Sequence, residues 1–378
     1  MHKLPWTYTI IAVLLLTAFV EEAYPQTPEQ NTALRYVKAG MEYMRTGNYR
    51  EARDSFVEAV RYNDLDSTAH LGLGIAYFQL RDDSSAEQEL MRAVQISPND
   101  ATAYQFLGEL AYRRDDLETS VTFWEKAVAL NPSADRLRER LERIKKEHRT
   151  EKDFNRDVTS HFLIKYEGRE KIEIGRIVLS ILEDAYGDIG RALSYYPDRD
   201  IPVILYSSQQ FQDVTEAPGW SGGLFDGKIR IPIGGIERET PGLRKTLYHE
   251  YTHAVVRNLT RHCPTWLNEG LAQYFEGRDI NADQRNLLRQ IVQTGNLPPL
   301  SSLEGSFTAL STNDAMVAYL LSLSSVRYMI DSFGIYRVRT ILDELATGAT
   351  MNKAISNSIL LSADEFERGW KLSLESAN

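Results

Sequence analysis

His249-Glu250-Tyr251-Thr252-His253 follows Thr240-Pro241, a cap and a first-turn proline of the kind that opens a helix. On such a helix His249 and His253 are four apart and share a face, where two imidazoles can bind one metal ion. Glu250 lies beside the first histidine, within reach of a water held on that ion. Its carboxylate is of the type that takes a proton as water attacks a carbonyl. A chance match to this spacing is on the order of one in a hundred for a chain this poor in histidine. The competing reading is a surface helix with two solvated histidines. A catalytic zinc ion needs a third protein ligand and one open position for water, so the motif is incomplete by itself.

Trp266-Leu267-Asn268-Glu269-Gly270-Leu271-Ala272 comes shortly after. This segment closely resembles the W-L-N-E-G-x-A motif of gluzincin zinc peptidases such as aminopeptidase N. The resemblance implies that Glu269 is the third ligand, with His249 and His253, of one Zn2+ per chain. It also implies that Glu250 is the base that activates the water and passes the proton to the leaving amine. Residues 254–268 separate Glu269 from His253, slightly fewer than in the aminopeptidases, which shortens the loop between the two helices. Ala318-Tyr319, leading a helix through Tyr328 to Phe333-Gly334, looks like the tyrosine-led helix of the same superfamily. There the hydroxyl hydrogen-bonds the oxyanion, and Tyr319 is the candidate here. Glu276, on a helix face similar to that of Glu269, is a candidate to orient a histidine ligand.

Residues 157–378 as a whole look like the peptidase-MA-like domains that follow tetratricopeptide repeats in exported bacterial proteins. The implied fold is α+β, of the thermolysin and aminopeptidase kind. In that comparison the stretch from Gly223 to Ile233 lies along the cleft. A substrate peptide would pair with its open edge, at Gly223, Ile229 and Ile231. The aminopeptidases also carry a glycine-rich motif whose glutamate binds the substrate's free amine. No match to it is found, which favours an endopeptidase over an aminopeptidase. A third reading, from another class, is an interaction scaffold that holds a peptide without cutting it. Intact Glu250 favours the enzyme, because a binding module has no need of that carboxylate.

Upstream of the motif the pattern is mixed. Val158 to Tyr166 alternates like a strand, and Ile172 to Leu193 has a helical period. Ile201 to Tyr206 is a β-branched strand whose Pro202 suggests a sheet edge. Asp226-Gly227 signals a hairpin, with Ile229-Arg230-Ile231 alternating after it. Beyond Thr240 the pattern is mostly helical.

The first half repeats. With Ala33, Ser67 and Ala101 as first positions, a 34-residue period aligns Gly40, Gly74 and Gly108. It also aligns Ala52, Ala86 and Ser120, then Phe56, Leu90 and Trp124, then Ala59, Ala93 and Ala127. Pro98 and Pro132 break two of the units, and Asp64 takes that place in the first. The pattern resembles the tetratricopeptide repeat and implies an all-α solenoid of three repeats over residues 31–134. Small residues at the closest approach let one helix of each pair seat the knobs of the other. Residues 135–152, with Leu137, Leu141 and Ile144 at helical spacing, read as a capping helix and linker. The repeats serve either as a groove for a protein partner or peptide, or as a spacer for the second domain.

The remaining features set the context. Lys3 and the apolar run from Ile10 to Val20 have the order of a secretory signal over residues 1–23. Glu21 makes the cleavage site at Ala23 atypical, so an uncleaved anchor and membrane tether is the alternative. Either way the body of the chain is expected outside the cytoplasm, periplasmic or secreted. With 43 Lys and Arg against 53 Asp and Glu the net charge is −10, which argues against nucleic-acid binding. The single cysteine, Cys263, excludes an internal disulfide. His262-Cys263, His70 and His161 (the last placed in a strand) are read as packed or solvated rather than catalytic.

Overall fold

The computed structural model describes residues 27–168, 171–198, 200–216, 222–307 and 310–376. The expected signal or anchor over residues 1–23 lies outside them. Among the described residues no helix is long and apolar enough to cross a membrane. The chain divides into two compact units, with the boundary after Lys152.

Among the described residues the first unit holds helices and no strand. Its elements are α1 (Pro28–Arg45), α2 (Tyr49–Tyr62), α3 (Ser67–Gln79), α4 (Asp83–Ile96), α5 (Ala101–Arg113), α6 (Leu117–Leu130) and α7 (Asp135–Glu151). Local chemistry starts and stops each hairpin at matching places. Asp66, Asp82, Asp100 and Asp116 each accept a backbone N–H of the first turn that follows, satisfying donors a helix start leaves open. The turns within the pairs put Gly47, Arg81 and Asp115 in the left-handed region, one per period. The next N–H closes back in each case: Asn48 to the Tyr43 carbonyl, Asp82 to Tyr77 and Asp116 to Ala111. Small and large residues then meet across the pairs. A Cβ on Gly108 would lie 2.4 Å from the Trp124 ring, and one on Gly74 would lie 2.7 Å from Leu90. Leu137, Leu141 and Ile144 of α7 pack on Trp124 and Ala127, closing the last repeat.

The second unit holds a five-stranded sheet: β1 (Asn155–Val158), β2 (Phe162–Tyr166), β3 (Ile201–Tyr206), β4 (Leu224–Phe225) and β5 (Ile229–Pro232). Their order is β1-β2-β3-β5-β4, parallel through β2, β3 and β5 and antiparallel at both outer pairs. Helix α8 (Ile172–Leu193) crosses from β2 to β3. It buries Val178, Ile181, Leu182 and Ala185 in the same core as Leu243, Leu247, Tyr251 and Val255 of α10 (Pro241–Leu259). The short α9 (Ser208–Thr215) packs Phe211 with Ile204 and Tyr206 in a smaller cluster. A second large core gathers α11 (Thr265–Phe275), α12 (Ala282–Gln293), α13 (Thr312–Phe333), α14 (Ile335–Ala346), α15 (Met351–Ile359) and α16 (Ala363–Ser376) around Trp266, Leu321 and Trp370.

Three sequence expectations are corrected. Val158 to Tyr166 is not one strand but the hinge of a hairpin. Thr159 donates its N–H to the Phe162 carbonyl, and its hydroxyl accepts from the Phe162 N–H, turning the chain between β1 and β2. His161 therefore lies in that turn, bonded through Nδ1 to Glu183 at 2.7 Å, and not in a strand. Pro202 does not mark an edge, because β3 is the central strand with all six residues buried. The Ile201 N–H points toward β2, donating to His161, so the donorless Pro202 nitrogen faces the other side. There β5 begins pairing only at Val203, and no ladder bond is lost.

Candidate metal centre

The Thr240 hydroxyl accepts the Leu243 N–H, and Pro241 opens α10. The apolar residues of this helix face the sheet, which turns His249 and His253 toward α11. Their rings meet edge to face with centroids 4.7 Å apart. Glu269, in the middle of α11, brings Oε2 to 3.6 Å from His249 Nε2 and 3.8 Å from His253 Nε2. One ligating atom from each of the three lies within 4.8 Å of the others. Glu276, at the C-terminal cap of α11, accepts from His249 Nδ1 at 2.9 Å and leaves Nε2 aimed at Glu269.

These residues fit a zinc ion. Ligand atoms about 2.0–2.1 Å from a shared tetrahedral ion stand about 3.3 Å from one another, close to the separations found here. Charge points the same way. Burial alone would lower the His249 pKa, but hydrogen bonds to Glu269 and Glu276 and the charge of Glu250 outweigh it and lift the imidazole to about 10. Three carboxylates around two imidazoles make a site that draws positive charge. Burial acts against ionised Glu269, yet the charge of His253 and the bond to His249 hold its carboxyl below the usual range. Among the described residues His253 Nδ1 is buried without a partner, so that ring is held by packing rather than by a second carboxylate.

Glu250 is 7% exposed, on the same helix and one residue from His249. Burial raises its pKa above the ordinary carboxylate value, although His249 and His253 pull the other way. The backbone at Gly223 lies directly against it. A Cβ there would stand 2.9 Å from Glu250 Cγ, 3.0 Å from its Oε1 and 2.9 Å from Thr246 Cγ2. Tyr319, near the start of α13, packs its ring edge-on against Phe307 at 5.4 Å. Burial, then the charges of Glu269 and Glu250, push its hydroxyl pKa up, which keeps the phenol protonated and able to donate. Cys263 is likewise held as a neutral thiol by burial and by the charge of Glu269.

The proposed substrate strand needs revision. Ile229 and Ile231 are 0% and 1% exposed, and Ile229 lies between Val203 of β3 and Phe225 of β4, so Ile229 borders no open edge and neither side chain is available to a peptide. Among the described residues the outer strand on this side is β4, and Gly223 is the residue that leads into it. Alternation in the sequence marks a strand with one buried face but says nothing of which neighbours flank it. Two residues at the site escaped the sequence reading: Thr246, which packs on Gly223, and Gln273, which bonds to the backbone of Glu269 and Tyr319. Thr246 lies one turn ahead of Glu250 on α10, the one signal that was open to notice.

Comparison with known proteins agrees with this architecture. Residues 194–376 match the family model of the Peptidase MA superfamily, and residues 37–101 match that of the tetratricopeptide repeat. The chain thus carries a Peptidase MA superfamily domain preceded by tetratricopeptide repeats. Among solved structures it is similar to the first such repeat domain of Spaghetti (RPAP3) bound to an HSP90 peptide. That match has 23% identity over 31% of this chain and 94% of that one, with a TM-score of 0.30. The Arabidopsis OM64 repeat domain matches at 18% identity over 32% and 98%, with a TM-score of 0.31. A Thermobaculum terrenum O-GlcNAc transferase matches at 14% identity over 62% and 45%, with a TM-score of 0.30. The search of curated proteins gave no match.

Proposed function

We propose that this protein is an exported zinc metallopeptidase that cuts within peptide chains, with its repeats engaging a protein partner or substrate. The observation that carries this reading is the convergence of His249, His253 and Glu269, with Glu250 beside them and Tyr319 near enough for the charges of Glu269 and Glu250 to raise its hydroxyl pKa. The three convergent residues would hold zinc, which when bound supplies Lewis acidity and lowers the pKa of a coordinated water.

The remaining work falls to the chain. Glu250 takes a proton from the attacking water and delivers it to the leaving amine, and its raised pKa brings it nearer the range useful for both transfers. Tyr319, kept protonated, donates to the oxygen on which negative charge develops. Glu276 holds His249 in one tautomer. The outer strand β4 offers main-chain groups to an extended peptide beside Glu250, which selects for backbone more than for side chains. The missing glycine-rich amine-binding motif favours internal cleavage. Export rests on Lys3 and the apolar run from Ile10 to Val20.

The test is a mixed peptide library incubated with the zinc-loaded chain beside its Glu250→Ala form and read by mass spectrometry. Internal cuts made only with the intact glutamate support an endopeptidase. Removal of single N-terminal residues would make it an aminopeptidase. No cutting, with zinc confirmed bound, would overturn the enzyme reading in favour of a peptide-holding scaffold.

A further inference from the structure

Glu269 and Tyr319 sit on different helices, so their separation depends on how α11 lies on α13. The two backbones are in close contact. A Cβ on Gly270 would stand 2.4 Å from the Ser322 carbonyl oxygen and 2.5 Å from Val326 Cγ2. This contact sets the distance between the helices, and the apolar side chains of α11 and α13 share one core around it, but neither supplies a directional bond between the two backbones.

Gln273 adds such a bond to that packing. It lies about one turn beyond Gly270 and is 1% exposed. Its Nε2 donates to the Glu269 carbonyl at 3.2 Å, within its own helix, and to the Tyr319 carbonyl at 2.9 Å, across to α13. One amide therefore ties together the backbones of the two residues that carry the carboxylate and the phenol. A helical carbonyl has a second lone pair for such a bond, so Tyr319 can accept it without losing its place in α13. Folding alone does not ask for an amide here. An apolar side chain of similar volume would fill the same buried space without needing two acceptors.

We propose that Gln273 is a positioning residue that fixes where the Tyr319 phenol stands relative to the Glu269 carboxylate. The proposal rests on the metallopeptidase reading for its consequence but not for its geometry. Leverage makes the bond matter. A Cα lies about 2.3 Å from its helix axis and a tyrosine hydroxyl extends several Å further, so a 10° rotation of α13 carries the hydroxyl by about 1.5 Å. A misplacement of about 1 Å in a reacting group costs on the order of 100-fold in rate.

The experiment compares the zinc-loaded full chain with Gln273→Met, which keeps the volume and removes the donors, Tyr319→Phe and the double variant. Gln273→Glu, which keeps the shape and removes the amide donor, replaces Gln273→Met if the latter fails to fold. The expected result is unchanged zinc stoichiometry, a kcat lower by about 10- to 100-fold with KM nearly unmoved, and similarly weakened binding of a phosphinic peptide. In the Tyr319→Phe background Gln273→Met should cause no further loss, because the group it positions is gone. Full activity in Gln273→Met, or losses that multiply in the double variant, would overturn the proposal. A crystal structure of zinc-loaded Gln273→Met answers without any turnover. A displaced Tyr319 hydroxyl supports the proposal even if the chain cuts nothing, and an unmoved one sinks it whatever the activity.

Discussion

Glu276 Oε2 lies 2.9 Å from His249 Nδ1, so the short helix α11 supplies both the carboxylate that faces the histidines and the one that orients the first of them. The bond has a chemical consequence. With Nδ1–H donating to Glu276, the Nε2 lone pair of His249 is left for a cation. Loss of such an outer partner typically costs about 10- to 100-fold in metal affinity. Glu276→Gln should therefore bind zinc that much more weakly while the fold persists, measured by competition with a chromophoric chelator. An affinity equal to the parent's would remove Glu276 from the site.

Metal removal should be visible in stability. A ligand present at about 100 times its Kd adds about 2.7 kcal/mol to the folded state. Chelation should lower the melting temperature of the second unit in the parent and leave Glu269→Ala unaffected, since that variant has already lost a ligand. Scanning calorimetry with and without EDTA checks both. A parent curve that does not move on chelation contradicts the zinc assignment.

Gly223 lies against Glu250, and a side chain there would displace Glu250 or Thr246. Overpacking of this kind typically costs about 1–3 kcal/mol, and here the strain falls on the proposed base. Gly223→Ala should lower kcat/KM by roughly 10-fold or more, with zinc still bound. Steady-state cleavage of a peptide found in the library screen provides the measurement. Parent-like turnover would mean that the strand entry yields instead of Glu250.

In the repeats, His70 bonds Glu89 at 2.6 Å through Nδ1 and the Asp64 carbonyl at 3.0 Å through Nε2. Burial opposes its protonation, but the Glu89 bond, the Asp64 bond and the charge of Glu89 together raise its pKa. A raised pKa in the folded state means that the folded chain binds the proton more tightly than the unfolded one. The stabilisation is complete below the unfolded value of about 6.5 and fades as pH rises through the folded value. Hydrogen exchange in α3 and α4 should thus show the parent better protected than His70→Gln at pH 5.5, with a smaller difference at pH 8.5. A difference that grows with pH would reverse the assignment.

Gly108 lies under the buried Trp124, where a Cβ would stand 2.4 Å from the ring, and Trp124 Nε1 donates to the Gln105 carbonyl at 2.9 Å. Gly108→Val should destabilise the first unit by about 1–3 kcal/mol in urea unfolding. Zinc binding by the second unit should be unchanged. A neutral substitution would show that the pair can spread at little cost.

Much of this molecule is local and therefore legible in its sequence. The 34-residue period placed Gly108 against Trp124 because both positions recur in every unit and each unit packs only on its neighbours. The helix start at Thr240-Pro241 and the shared face of His249 and His253 follow from 3.6 residues per turn. What alternation could not reveal was strand order. The pattern of Ile229 and Ile231 is the same whether the next neighbour is solvent or β4, and Pro202 is tolerated in a central strand because its nitrogen faces a gap in the ladder. Nor could spacing show that Gly223 presses on Glu250, that the histidine met by Glu276 is His249 and not His253, or that Gln273 bonds to Tyr319. By itself the sequence determined the repeats, the helix that carries both histidines and the residue types a zinc site requires. Only the tertiary structure decided which strand lies beside Glu250 and which side chains bond to the convergent residues, because those contacts join segments whose separation along the chain carries no periodic signal.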